Sequence, residues 1–389
     1  MGFVELVAFL AITMALNALA IDVVLPGLPA LGADLGVHED NRRQLVIVAY
    51  LIGMGASQLV HGPLADRIGR RPTLLAGLAI YSVAGLASAL APSFGVLIAA
   101  RVVQGLGAGA PRVVAISIAR DRYRGPEMAR VMSLVMMVFM VVPILAPTVG
   151  QGILLIAPWR WIFGVLAVAG IAVGAWTMAR LGETLAPEHR RPLSARMVAR
   201  GFVEVARTRA TLVPTIAMTF TGGALMAFVT SAQQIFQDTF GAGKGFTLLF
   251  ALIAVTMSVG SFANSKMVQV IGPARLARRA LHVQMSAAAT LVALALTGHL
   301  SLPVFEALQA VVMLCFGFTG SNLNAIAMEP MGHLAGTASS VIGAVTTIGG
   351  ALIGGAVGGL YDGTARPLVI GTLVLGASAR LVLMLSPKA

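Results

Sequence analysis

The sequence predicts an all-α membrane protein whose twelve transmembrane helices form two six-helix bundles. Three observations carry that prediction. Of 389 residues, 58% are hydrophobic and only 11% are charged, whereas an ordinary soluble domain carries roughly a quarter charged residues. The apolar residues gather into charge-free runs near the ~20 residues that one bilayer crossing needs. The basic residues between those runs alternate between rich and poor loops. A closed barrel would instead show alternating segments of about 10 residues, so long continuous runs mean helices.

Taken in order, Phe3 to Pro26 gives the first segment. No charged region precedes it and no convincing cleavage site follows, so it reads as a retained helix rather than a signal peptide. Gln44 to Ala65 gives the second. The stretch from Pro72 to Ala100 is broken by Ala91-Pro92-Ser93 and continues past Arg101 to Ala119, giving a third and fourth helix joined by a tight turn. Val131 to Trp159 and Trp161 to Ala179 complete the first half. Ala210 to Gln237, Gly245 to Ser265, Ala280 to Phe305, Ala307 to Met328, Pro330 to Tyr361 and Pro367 to Ser386 form the second.

The formal net charge of +12 could point to nucleic acid, but Lys and Arg concentrate in short cytoplasmic loops of membrane proteins. With the N-terminus inside, the inner loops hold most of the basic residues, from Arg67, Arg70 and Arg71 through Arg120 to Arg275, Arg278 and Arg279. The outer loops hold Arg42, Arg43, Arg160, Lys244 and Arg366. Both termini are therefore expected in the cytoplasm. No basic stripe interleaved with aromatics supports a nucleic-acid partner. Cys315 is the single cysteine and the six histidines show no ligand spacing, so no disulfide, metal or other cofactor is implied. Arg380, about 20 Å along the last helix from Pro367, is expected to snorkel to the inner interface.

Residues 1–180 are expected to form the first bundle, 181–210 a cytoplasmic linker and 211–389 the second bundle. In the linker, Met197, Val198, Phe202 and Val205 fall near one helical face among arginines, which suits a helix on the inner leaflet; a solvated loop fits the same composition. One trace of an internal repeat survives. Ile68-Gly69 and Ile271-Gly272 are both followed by basic residues, at equivalent loops of the two halves.

The first of those loops reads Gly62-Pro63-Leu64-Ala65-Asp66-Arg67-Ile68-Gly69-Arg70-Arg71-Pro72-Thr73-Leu74. The glycines permit tight turning, and Asp66 can face an orphan helix N-terminus and pair with arginine. The loop resembles the signature between the second and third helices of the major facilitator superfamily. That resemblance implies a cytoplasmic gate motif made by Gly62, Leu64, Asp66, Arg67, Gly69, Arg70, Arg71 and Arg120. Asp66 is expected to meet Arg120 and the start of the eleventh helix near Ala335 to Ser339.

Further stretches resemble the twelve-helix drug:proton antiporters, most closely their bicyclomycin and chloramphenicol resistance (Bcr/CflA) branch. They include Ile21-Asp22-Val23-Val24-Leu25-Pro26-Gly27-Leu28-Pro29, Tyr50-Leu51-Ile52-Gly53 with Gln58-Leu59, Arg101-x-x-Gln104-Gly105 and Arg120-Asp121-x-Tyr123. Pro143-Ile144-Leu145-Ala146-Pro147-x-x-Gly150, Trp159-Arg160-x-Ile162-Phe163 and Ala335-Gly336-Thr337-Ala338-Ser339-Ser340 continue the match. The resemblance implies a monomer in the bacterial inner membrane that exports small amphipathic drugs or toxic metabolites in exchange for protons.

An aspartate inside a spanning helix costs about 2.5–3.5 kcal/mol on insertion scales, so Asp22 is expected to face a cavity and act there. Burial disfavours a carboxylate's charge and a nearby guanidinium favours it, so a carboxyl group moving between such settings loads and releases a proton. Arg101 and Gln104, one turn apart on one face, are its expected companions. In the fifth helix Pro143 and Pro147 are expected to bend the chain, while Gly150 and Gly152 allow close packing. These four resemble the antiporter motif, from which the chain departs at Ala146 and Gln151. Tyr50, Gln58, Arg112, Met136, Met140 and Phe228 are candidates for lining a substrate cavity.

The run from Gly105 to Ala110 matches a dinucleotide fingerprint, but no strand precedes it and it lies within a span, so it is not a cofactor loop. Gly350, Gly354 and Gly358 likewise read as helix packing. No phosphate-binding loop supports nucleotide-driven transport, and no paired nucleophile and base supports an intramembrane enzyme. Two other functions stay open on the same fold: proton-coupled uptake of a small metabolite, and a non-transporting sensor or scaffold.

Overall fold

Twelve helical segments are long and apolar enough to cross a bilayer. The computed structural model describes residues 1–389 except 38, 124, 187, 189, 191–194 and 386–389; the side chains of 40, 125, 126, 129, 195, 197, 198, 244 and 333 are also outside the description. The helices are α1 (Phe3–Asp22), α2 (Leu28–Asp34), α3 (Leu45–Ile68), α4 (Arg70–Ala89), α5 (Phe94–Arg122), α6 (Gly125–Ile156) and α7 (Arg160–Arg180). Then come α8 (Ala195–Arg207), α9 (Arg209–Gln234), α10 (Phe246–Ile271), α11 (Pro273–Thr297), α12 (Leu302–Met328), α13 (Ala335–Gly358) and α14 (Arg366–Met384).

The expected segments all form, with instructive differences at their ends. The first span does not stop at Pro26. It runs to Asp34 as two helices, α1 and α2, separated by a turn and a 3-10 segment at Leu25–Gly27. Pro26 and Pro29 lack the N–H that a continuing helix would need, and this explains the break. The tenth span starts at Leu302 rather than Ala307, so Glu306 lies inside a spanning helix; charge-free length alone had excluded it. The eleventh begins at Ala335, after a 3-10 segment over Glu329–Leu334, rather than at Pro330. Ser93 caps α5 by accepting from the Val96 N–H at 3.4 Å, as an N-cap serine does.

The chain divides into two compact units, Met1–Ala199 and Arg200–Ala389. In the first, α5 packs against both α3 and α4, α4 against α7, and α1 against α6. Glycines set the spacing at the α3–α5 crossing. A Cβ on Gly53 would overlap the Val102 carbonyl oxygen, and one on Gly105 would overlap that of Tyr50. Gly107 meets α4 in the same way at Tyr81 and Gly77. The glycine run of α5 is thus the contact surface of a central helix. Two polar clamps fasten the ends: Glu5 accepts two bonds from Arg180, at 2.8 and 2.9 Å, and Asp34 accepts from Arg160 and, at 3.0 Å, from Trp159 Nε1.

In the second unit α12 packs against α10 and α11, α13 against α9, and α14 against α9 and α11. The α10–α12 crossing repeats the reciprocal device: Gly260 lies on the Leu314 carbonyl and Gly317 on that of Met257. Gly350 and Gly354 lie against α9 at Gly222 and Met226. The repeat glycines also match. Gly69 has φ 107° and ψ 162°, and Gly272 has φ 86° and ψ 150°, a region that is essentially glycine-only. The linker stretch from 195 forms helix α8, with Val205 buried and Phe202 exposed; the side chains of Met197 and Val198 lie outside the described residues. Its Gly201 sits against Thr337 at the start of α13.

Gly105→Ala is expected to force α3 from α5 and cost about 1–3 kcal/mol, read as a lower melting temperature in detergent. Gly152→Ala, with nothing within 4 Å, is expected to leave that temperature unchanged.

Candidate functional site

Arg101 lies about two turns into α5 and is fully buried, at 0% exposure. A buried guanidinium needs acceptors, and backbone supplies most of them. Nε donates to the Val46 carbonyl at 3.1 Å, Nη2 to that of Ala20 at 2.9 Å, and Nη1 to Gln104 Oε1 at 2.7 Å. Because α1 ends at Asp22, Ala20 lies in its last turn, where carbonyls have no intrahelical partner and carry the negative end of the helix dipole. The charge also sits 4.4 Å from the centroid of the Tyr50 ring and 5.5 Å from that of Phe163. Tyr50 is held by its hydroxyl, which donates to Asn17 Oδ1 at 3.1 Å.

Asp22 is the final residue of α1 and is 6% exposed. Its carboxylate has no hydrogen bond or ion pair among the described residues. Arg101 is therefore gathered to the same helix end as Asp22 but is not its ion-pair partner: its donors go to two carbonyls and an amide. The turn after Asp22 is held by α6, where a Cβ on Gly150 would overlap the Val23 carbonyl and come within 2.9 Å of Pro26. Pro143 and Pro147 lie within one continuous helix. A Cβ on Gly152 would meet nothing within 4 Å, so close packing does not require glycine there.

At the other end of α3 the Asp66 loop forms an ionic cluster. Arg70, 3% exposed, donates from Nη1 to Asp66 at 2.5 Å and from Nε to Asp121 Oδ2 at 2.9 Å. The arginine that meets Asp66 is thus Arg70, the first residue of α4 beyond the Gly69 turn, and not Arg120, whose side chain is exposed. Sequence reasoning missed Glu183. Its carboxylate accepts from the backbone N–H groups of Arg70 at 2.9 Å and Arg71 at 3.2 Å, the first orphan donors of α4. It also accepts from the N–H groups of Thr184 and Leu185, while the Thr184 hydroxyl donates to Asp121 at 3.2 Å. Arg71 reaches the Met178 carbonyl at 2.8 Å. Gly62 and Leu64 are half-buried and Arg67 is exposed.

The candidate cavity residues divide. Tyr50 and Gln58 are buried inside the first unit, Met136 and Met140 are half-buried, and Arg112 is exposed. Phe228, at 2% exposure, stacks on Phe250, with centroids 5.8 Å apart, in an aromatic cluster that includes Phe236. Its surroundings on α9 and α10 are set by packing that a single helix's pattern does not reveal. The second unit has its own buried polar pair, Asn322 donating to Asn264 at 2.7 Å.

The Major Facilitator Superfamily model matches residues 10–354. Among curated relatives, the uncharacterized MFS-type transporter YdgK of Bacillus subtilis is 31% identical over 96% of this chain and 93% of its own. The bicyclomycin resistance protein homolog of Haemophilus influenzae is 31% identical over 92% and 90%. The multidrug resistance protein MdtL of Escherichia coli is 29% identical over 85% and 83%. Two solved structures share the fold. The human organic anion transporter MFSD10 (TETRAN) has a TM-score of 0.71 at 18% identity, covering 98% of this chain and 100% of its own. The xylose transporter XylE of E. coli, in a partially occluded inward open conformation, has a TM-score of 0.76 at 12% identity, covering 100% and 98%. This twelve-span, multi-pass membrane protein belongs to the Major Facilitator Superfamily of small-molecule transporters.

Proposed function

We propose that the chain is a multidrug efflux protein of the bacterial inner membrane, exporting small amphipathic compounds in exchange for protons. The observation that carries this reading is the unpaired, buried carboxylate of Asp22 at the broken end of α1, beside a buried guanidinium whose donors go to two backbone carbonyls and Gln104. Burial disfavours the charge of any carboxyl group, and water or a cation favours it. A carboxyl group on a helix end can change between those settings as the helix moves, taking a proton in one and giving it up in the other. Arg101 and Gln104 fix the geometry from α5, and the Pro143, Pro147, Gly150 surface of α6 seats the break. The printed names of the two resistance relatives support the substrate class.

Each proton entering down roughly 100 mV contributes about 2.3 kcal/mol before any pH gradient is added. Substrate contacts from the first unit are assigned to Arg112, Met136 and Met140, where polarizable methionines suit varied ligands. The Asp66, Arg70 and Asp121 cluster serves as the cytoplasmic gate motif, with Glu183 fastening the linker to it. The protein works as a monomer with both termini in the cytoplasm, residues 181–210 joining bundles 1–180 and 211–389. It carries out no enzymatic reaction.

Asp22→Asn is expected to reduce proton-coupled efflux to background while the protein remains in the membrane; undiminished efflux across a pH gradient would sink the assignment. Glu183→Ala uncaps α4 at a cost of about 1 kcal/mol, so trypsin is expected to cut faster at Arg196 and Arg200. Unchanged cleavage, as expected for Arg67→Ala, would show that Glu183 does not hold the linker.

A further inference from the structure

In the second unit α11 and α14 pack side by side, and neither contains an acidic residue. On α11, Arg275, Arg278, Arg279 and His282 recur at i, i+3, i+4 and i+7, which places them on one face, and all four are exposed. On α14, half-buried Arg380 donates from Nε to His282 Nε2 at 3.1 Å, tying the two helices together at one level. An arginine N–H only donates, so Nε2 holds the ring's lone pair and Nδ1 carries a hydrogen available to an acceptor. None of these five residues is paired with a carboxylate among the described residues.

Depth and neighbours narrow what would neutralise this charge. Arg380 lies about 6 Å from the end of α14 at a rise of ~1.5 Å per residue. An arginine side chain at that depth reaches the headgroup level. Away from the basic face the same two helices turn apolar surface outward: Val283 and Leu296 on α11 are 51% and 60% exposed, and Val374 and Leu381 on α14 are 54% and 63% exposed. A basic patch continuous with an apolar track matches a molecule with an anionic head and hydrocarbon chains. A free phosphate would use only the first part.

We propose that the outer face of α11 and α14 binds an anionic phospholipid. Its phosphate is held by Arg380, Arg279 and His282, with Arg275 and Arg278 nearer the helix start, and its acyl chains lie along Val283, Leu381 and Val374. Basic pockets between spanning helices hold anionic headgroups in this way, and each juxtamembrane basic residue changes binding about fivefold.

Native mass spectrometry of the full chain in mild detergent tests this, with dioleoylphosphatidylglycerol and dioleoylphosphatidylcholine titrated in turn. The first phosphatidylglycerol is expected to bind at least about fivefold more tightly than phosphatidylcholine. Arg380→Gln and Arg279→Gln are each expected to weaken phosphatidylglycerol about fivefold and leave phosphatidylcholine unchanged, while Arg42→Gln changes neither. If Arg380→Gln fails to fold, the exposed Arg279→Gln carries the comparison. Equal affinity for the two lipids, unweakened binding by Arg279→Gln, or displacement of the lipid by millimolar inorganic phosphate would overturn the proposal.

Discussion

Arg101 brings a positive charge into the buried interior of the first unit without a carboxylate partner among the described residues, and much of that unit is shaped by its need for acceptors. Burying an unpaired ion costs several kcal/mol unless hydrogen bonds replace its hydration. One acceptor, the Ala20 carbonyl, is available because α1 ends two residues later, at Asp22. Another, the Val46 carbonyl, belongs to the first turn of α3. Both can reach one guanidinium because glycine at 53 and 105 lets α3 and α5 approach to backbone contact. Tyr50, held by Asn17, closes one face of the charge with its ring. The helix break, the glycine crossing and the aromatic platform therefore form one arrangement, and Asp22 stands at its edge.

The two units share their mechanical devices but differ in charge. Reciprocal glycines join α3 to α5 and α10 to α12, and glycines of matching conformation turn α3 into α4 and α10 into α11. A buried side-chain pair between α10 and α12 in the second unit is a neutral amide pair, Asn264 with Asn322. The first unit instead holds the buried guanidinium of Arg101, while among the described residues each unit carries a partnerless carboxylate in a spanning segment, Asp22 in the first and Glu306 in the second. A common scaffold thus carries a buried guanidinium at the crossing in one unit and a neutral amide pair between the corresponding helices of the other.

The number of spans was legible in the sequence because apolar length is a direct physical requirement of the bilayer. The Asp66 loop was legible in part: Gly69 takes the positive φ that a turn there requires, whereas Gly62 lies inside α3 and turns nothing. Ends and partners were harder to read. Counting charge-free residues cut the tenth helix short at Glu306, since one carboxylate near a helix end does not stop a helix. Arg120 was an expected partner of Asp66, yet Arg70 reaches it from the start of α4 and carries the contact on to Asp121. Glu183 had no local signal, because its role as a cap for α4 depends on two segments separated by more than a hundred residues and joined only by tertiary packing. The neighbours of Phe228 were hidden for the same reason: Phe250 and Phe236 meet it only through tertiary packing.

The central claim is that movement of substrate one way requires movement of protons the other way. The most direct measurement places the purified chain in proteoliposomes with an acidic lumen and no membrane potential. A compound to which its expression confers resistance is then followed across the membrane without ATP. Accumulation of that compound in the lumen against its gradient, abolished by a proton conductor, is the predicted result. Accumulation that persists with the proton conductor present would contradict the account.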